Sequence, residues 1–259
     1  MLREWRLLLV AVQFLTRIPT PRLDDLPSDW LARSGKYFPL VGALVGGLSA
    51  LVLLGAHAIW RSGPLPALLG LAVGLVLTGA LHEDGLADTA DAFGGGRSPE
   101  LRLAIMKDPR LGTYAALALG LTLAGKAAAL SVLPAPLAAA GLVCAHVGGR
   151  TAAVWTMSFL PYAADPAASK VDAPQRALRS WELGLTFAFA LAPGLLLMPP
   201  LIGISCLAGA ALPAFLLARA SAQRIGGHTG DVLGAVEQAY EVAFLLVLSG
   251  LNAAGRVAA

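Results

Sequence analysis

The chain has 259 residues, of which 57% are hydrophobic and only 14% charged, and its mean hydropathy is +0.71. A soluble domain carries about 25% charged residues, so this composition excludes an ordinary water-soluble fold and makes lipid the expected solvent. The net charge of +3 comes without a basic stripe interleaved with aromatics, which argues against a nucleic-acid partner.

The N-terminal stretch "MLREWRLLLVAVQFLTRIPTP" has a charged start and a short apolar run, then meets Pro19 and Pro21. It lacks a small-x-small cleavage site, so it reads as retained rather than as a signal peptide. Residues 4–16 are apolar but short for a span, and read as an interfacial or partly inserted helix. Seven longer candidates follow, at 37–60, 65–81, 113–133, 137–160, 181–198, 201–217 and 232–252. Prolines mark their junctions, at Pro64 and Pro66, Pro134 and Pro136, Pro161, and Pro199 and Pro200. Cys144 and Cys206 stand far apart in apolar runs, which is neither a disulfide framework nor a metal pattern. The expected architecture is one all-α polytopic membrane helix bundle over residues 1–259, with about seven spans.

The connections alternate in charge. Those at 17–36, 82–112, 161–180 and 219–231 carry thirteen Lys and Arg, whereas the opposite ones hold only Arg61 and Arg256. Cytoplasmic loops are the basic ones, so the charged side is expected to face the cytoplasm. Acidic residues follow the same side, among them Asp24, Asp25, Asp29, Asp165 and Asp172, and a site built on them would be cytoplasmic.

The stretch "LHEDGLADTADAFGGG" then places four carboxylates in nine positions, directly after an uncharged run. On a helix Asp84, Asp88 and Asp91 fall at i, i+4 and i+7, on one face, while Glu83 points away. Three like charges on one face repel, and a helix would not gather them for its own stability. A divalent cation removes the objection, because hard carboxylate oxygens suit Mg²⁺, which takes one or two carboxylates along with substrate phosphates. Lys107 and Arg110, just before the next span, are candidates for phosphate or for the acids.

Two cations, Lys126 and Arg150, fall inside spans, with His146 one turn before Arg150. Charges at such depth are costly and face a bundle interior or a cavity. The last charged loop, "RIGGHTGDVLGAVEQAYE", brings Thr229, Gly230 and Asp231 to the start of a span, with Glu237 and Glu241 at i, i+4 beyond it. Asp231 there reads either as a helix cap or as a second acidic group for the metal.

The motifs "HEDGLADTADAF", "IMKDPRLGTY" and "GGHTGDVLGAVE", with "FLTRIPTP" and "KYFPLVGALVGG" before them, resemble the adenosylcobinamide-GDP ribazoletransferase (cobalamin synthase) family. The resemblance runs in order from about Phe14 to Glu241. Two positions depart from the family's pattern: Ala92 stands for a glycine, and Glu83 for an apolar residue, so Glu83 is left out of the site. The resemblance implies a Mg²⁺-dependent inner-membrane enzyme that joins adenosylcobinamide-GDP to α-ribazole or its 5′-phosphate and releases GMP. It implies Asp84, Asp88 and Asp91 as metal ligands, and Lys107, Arg110 and Arg150 as neutralising cations. His82 and Asp91 are the candidates for the base. Lys126, Arg150, Thr229, Gly230, Asp231 and Glu237 are expected at the substrate. Association into homo-oligomers or with other cobalamin enzymes is left open. Two other readings compete: a lipid CDP-alcohol phosphotransferase, whose D-G-x-x-A-R spacing is not met here, and a transporter, to which the cations within spans point.

Overall fold

The computed structural model describes residues 2–23, 26–27, 29–61, 63–163 and 178–256. Asp24, Asp25, Asp165 and Asp172 lie outside them. Helix α1 (Leu2–Leu15) is followed by α2 (Trp30–Ser34), which passes through a 3₁₀ turn at Gly35–Tyr37 into α3 (Phe38–Trp60). Then come α4 (Leu65–Thr78), α5 (Leu81–Gly95), α6 (Pro99–Ile105), α7 (Thr113–Ser131), α8 (Ala135–Phe159), α9 (Ser180–Leu196), α10 (Pro200–Ile225) and α11 (Gly230–Ala253). Among the described residues the only β feature is an isolated bridge between Tyr162 and His228.

Six of the seven apolar segments each form one helix and the seventh, 65–81, forms one that breaks before its end, so the chain is a polytopic membrane helix bundle. Large apolar side chains such as Leu51, Val76, Leu121 and Leu201 lie exposed on its outside, as lipid-facing residues do. The count and the ends differ from expectation. Five helices are long and apolar enough to cross by themselves: α3, α7, α8, α10 and α11. The sixth candidate is α4 joined to α5 as one broken span, and α9 has only 17 residues. The run at 65–81 is not one helix. Its last residues break at Gly79 and Ala80, both left-handed, with φ of 64° and 57°. The chain turns there through 88°. Hydropathy missed the break because the two breaking residues are as uncharged as the helix they end. The more polar α5 is the second limb of this bent pair. In the other direction α10 continues to Ile225, past the expected end at 217, because the "ARASAQR" stretch is made of good helix formers.

Helix α8 is the axis of the bundle and is buried along most of its length. Its many alanines and glycines let α3 and α11 pack close on either side, the usual way helices associate in lipid. Helix α11 in turn touches α5, α7, α8 and α10. This brings polar residues from four helices to one place. Helix α1 docks on the outside: Ala11 and Leu15 pack with Phe38, Val41 and Val45, and Glu4 meets Lys36 at 2.8 Å. Lys36 also reaches Glu182 of α9 at 2.8 Å.

Candidate functional site

The aspartates do share one helix, α5, and their i, i+4, i+7 spacing puts them on one side of it. What fixes that side in space is the crossing of α5 over the start of α11. Gly85 is the contact: a Cβ there would stand 2.7 Å from the carbonyl oxygen of Asp231 and 2.9 Å from its Cα. Only a residue without a side chain permits this approach. Asp231 therefore joins the cluster, in the first turn of α11. Thr229 caps that helix, its hydroxyl oxygen accepting from the Val232 N–H at 3.2 Å and donating to Asp231 Oδ2 at 3.4 Å. Gly230 is the first residue of the helix.

Asp84 is exposed, while Asp88, Asp91 and Asp231 are half-buried. Asp84, Asp231 and Asp91 all lie close enough to Asp88 for their charges to act on its carboxyl. Asp91 is held: it accepts the Gly112 N–H at 2.6 Å on Oδ2 and the Ala115 N–H at 2.9 Å on Oδ1, at the start of α7. Each of its oxygens keeps a second lone pair. Among the described residues no Lys or Arg forms an ion pair with any of the four aspartates.

One and a half to three turns further along α11, about 9 to 15 Å away at 1.5 Å per residue, lies a second polar group of opposite character. Arg150 Nη1 sits 2.8 Å from Glu237 Oε1 and 3.5 Å from Glu241 Oε1. Lys126 Nζ donates to Glu241 Oε2 at 2.5 Å and to Gln238 Oε1 at 2.6 Å. His146 Nδ1 lies 2.7 Å from Glu241 and His82 Nε2 lies 3.1 Å from Glu237. All of these residues are buried. Two cations match two carboxylates, so the group pins α5, α7, α8 and α11 to one another at a depth where an unpaired charge would not be tolerated.

His146, Glu237 and Glu241 bring ligand atoms within 4.8 Å of one another, a donor set that a metal could use. Lys126 and Arg150 already fill that place with positive charge. The aspartates have no such compensation, and their all-oxygen donor set fits a hard cation such as Mg²⁺.

The sequence-derived candidates thus divide. Asp84, Asp88, Asp91, Asp231, Thr229 and Gly230 come together at the α5–α11 crossing. Lys126, Arg150 and Glu237 belong to the inner group, and His82 turns its ring toward it. Lys107 is exposed on the connection into α7, and Arg110 is exposed and held by Asp108, its Nε donating at 2.9 and 3.1 Å. That fork lowers the Asp108 carboxyl to about 2.

Two features escaped the sequence reading. One is the role of Glu241, whose carboxylate takes Lys126, His146 and Arg150; the i, i+4 repeat from Glu237 was its only signal. The other is Arg17. Its N–H donates to the Leu77 carbonyl at 2.6 Å, and its side chain lies against the Gly79 turn. There it lines a cleft of about 560 Å³ together with Thr78, Glu83 and Asp84.

The sequence is matched by the family model described as Cobalamin-5-phosphate synthase over residues 7–249. A protein of Leptothrix cholodnii named adenosylcobinamide-GDP ribazoletransferase is 42% identical, covering 95% of this chain and 96% of its own. Similar proteins of the same name occur in Rhizobium etli, at 43% identity over 92% of this chain and 94% of its own, and in Shewanella piezotolerans, at 39% over 95% and 97%. No solved structure matches the chain.

Proposed function

The chain belongs to the cobalamin-5-phosphate synthase family, membrane-embedded transferases of cobalamin synthesis, and on that footing we propose that it joins adenosylcobinamide-GDP to α-ribazole or α-ribazole 5′-phosphate with release of GMP. The observation that carries this reading is the uncompensated cluster of Asp84, Asp88, Asp91 and Asp231, of which Asp84 lines an open cleft, while the deeper Lys126 and Arg150 are ion-paired with glutamates. The reaction is a displacement at phosphorus. A ribazole hydroxyl attacks the phosphorus next to the aminopropanol arm, the bond from that phosphorus to the GMP oxygen breaks, and the hydroxyl proton leaves to a base. Chemistry of this kind needs mostly positioning and neutralised charge.

Asp84, Asp88 and Asp91, with Asp231, are the residues that would hold Mg²⁺. When bound, the ion would supply charge neutralisation for the diphosphate. Asp91 fixes the start of α7 at the same time as it faces the cluster, so the α7 end and the cluster form one rigid unit. Lys107 is an exposed cation close in sequence to α7, suited to a phosphate oxygen. Arg110 would have to exchange Asp108 for a substrate oxygen. Lys126, Arg150 and Glu237 act as a frame that positions α5 and α11. His82 and Asp91 remain the candidates for the base, and they differ in place: Asp91 lies on the cluster face, while His82 lies on Glu237. The excess of Lys and Arg in the connections on one side supports an inner-membrane protein with this face in the cytoplasm.

Purified protein in liposomes, given adenosylcobinamide-GDP, α-ribazole and Mg²⁺, should release GMP in step with adenosylcobalamin. Consumption of a CDP-alcohol with no GMP would overturn the reading in favour of a lipid phosphotransferase.

A further inference from the structure

We propose that Arg17 binds a phosphoryl oxygen of the substrate, as a cationic residue lining the same cleft as Asp84. The inference rests on the reading of the aspartate cluster as the site of a phosphoryl substrate, and adds the group that receives its charge from the protein.

Three observations support it. First, Arg17 is exposed, and among the described residues its guanidinium has no hydrogen-bond or ion-pair partner. Most other cations near the two polar groups are engaged: Lys126 and Arg150 with glutamates, Arg110 with Asp108, and Arg224 through the Phe93 carbonyl at 3.2 Å; exposed Lys107, on the connection into α7, does not line this cleft. Second, Glu83 and Asp84 line the same cleft, yet neither comes within ion-pair distance of Arg17. The cleft that these residues line is about 560 Å³, enough for a ligand group. Carboxylates for a metal and a forked guanidinium donor lining one cleft are the residue types that suit a polyphosphate.

Third, the backbone places Arg17 with little freedom. Thr16 is buried and its hydroxyl donates to the Val12 carbonyl at 2.7 Å, which ends α1. The next N–H, that of Arg17, is tied to Leu77 at 2.6 Å. Its guanidinium then rests on Gly79, where a Cβ would collide with Nε. The left-handed turn that redirects α4 into α5 therefore does two things at once. It aims the aspartates, and it makes the shelf on which the guanidinium lies. Because the proposed substrates carry phosphate in two places, the diphosphate of adenosylcobinamide-GDP and the 5′-phosphate of α-ribazole 5′-phosphate, the shared chemistry is a phosphoryl oxyanion and the assay separates the two.

The test uses the full chain in liposomes with Arg17→Ala and Arg17→Lys. GMP release is followed against each substrate, with α-ribazole and its 5′-phosphate run in parallel. Binding of inorganic pyrophosphate in the presence of Mg²⁺ is measured by calorimetry. Loss of one charged donor predicts a rise of about tenfold or more in KM for one substrate in Arg17→Ala, with kcat little changed and pyrophosphate affinity weakened to a similar degree. Arg17→Lys should recover part of both. A rise for adenosylcobinamide-GDP assigns Arg17 to the diphosphate. A rise for α-ribazole 5′-phosphate that is absent with α-ribazole assigns it to the incoming phosphate. The proposal is overturned if both KM values and the pyrophosphate affinity stay within about twofold of the parent, or if Arg17→Ala loses only kcat together with a lower thermal midpoint that Arg17→Lys repairs, since that is the mark of a hinge support. If the parent itself releases no GMP, the proposed reaction fails, while the pyrophosphate measurement still decides the role of Arg17.

Discussion

The two polar groups on α5 and α11 are built from similar residues and stand about 9 to 15 Å apart along α11, yet they are opposites. At the outer one, four aspartates face one another and no cation of the described chain answers them. At the inner one, Glu237 and Glu241 meet Arg150 and Lys126 at 2.8 and 2.5 Å, and two histidines complete the contacts. Buried charge that is matched within the protein serves to hold helices in register. Charge left unmatched at the mouth of a cleft is held in readiness for something that binds. The same residue type therefore has different work depending on whether its partner is inside the chain.

That contrast can be broken from the inner side first. Lys126→Met leaves Glu241 short of one of its two closest cations and should cost about 3 to 5 kcal/mol of stability. It should be read as a fall in thermal midpoint and in folded yield in detergent. The pair Lys126→Met with Glu241→Gln should recover part of the loss, because the orphaned charge is gone. If the single change is neutral, the inner group does not hold the helices together.

At the outer group the expected sign is reversed. Asp84→Asn and Asp88→Asn should each lower turnover by about two to three orders of magnitude, in the range seen for removal of one electrostatic catalytic group. The thermal midpoint should stay the same or rise, since like-charge repulsion is relieved. A fall in stability with activity retained would show the aspartates to be structural.

A smaller effect is expected where the two groups are joined. Gly85→Val introduces atoms where the Asp231 backbone stands at 2.7 Å, so α5 must shift from α11. Turnover should fall by roughly tenfold with a moderate loss of stability, about 1 to 3 kcal/mol. Near-parent activity would mean that the exact placing of Asp231 does not matter.

The smallest effect lies at the periphery. Glu4 is held below the ordinary carboxylate range by hydrogen bonds from Lys36 and Tyr37. A lowered folded value means that its contribution is present above the ordinary value of 4.5 and is lost as the pH falls below it. The difference in thermal midpoint between the parent and Glu4→Gln should begin to shrink below pH 4.5 and close only as the pH falls through the lowered folded value of Glu4. A difference that persists or grows at low pH would exclude the ion pair as its source.

Much of this was legible along the chain. Apolar length marked the long helices of the bundle, though not the break within 65–81, and the i, i+4, i+7 spacing placed Asp84, Asp88 and Asp91 on one face, because periodicity within a helix is a local property. The cost of charge in lipid also pointed to Lys126 and Arg150 as residues with partners. Their partners were not legible: Lys126 meets Glu241 across 115 positions, and that meeting depends on how α7, α8 and α11 pack. The same holds for Arg17, which gains its cleft only because the chain turns at Gly79 and Ala80. A hydropathy profile cannot register that turn, since it is a matter of two backbone dihedrals in an uncharged run. The sequence by itself determined which residues lie on which helix and on which side of it. Only the tertiary structure decided which charges are answered and which are left for a ligand, because pairing is set by distances between helices, and those come from packing rather than from order along the chain.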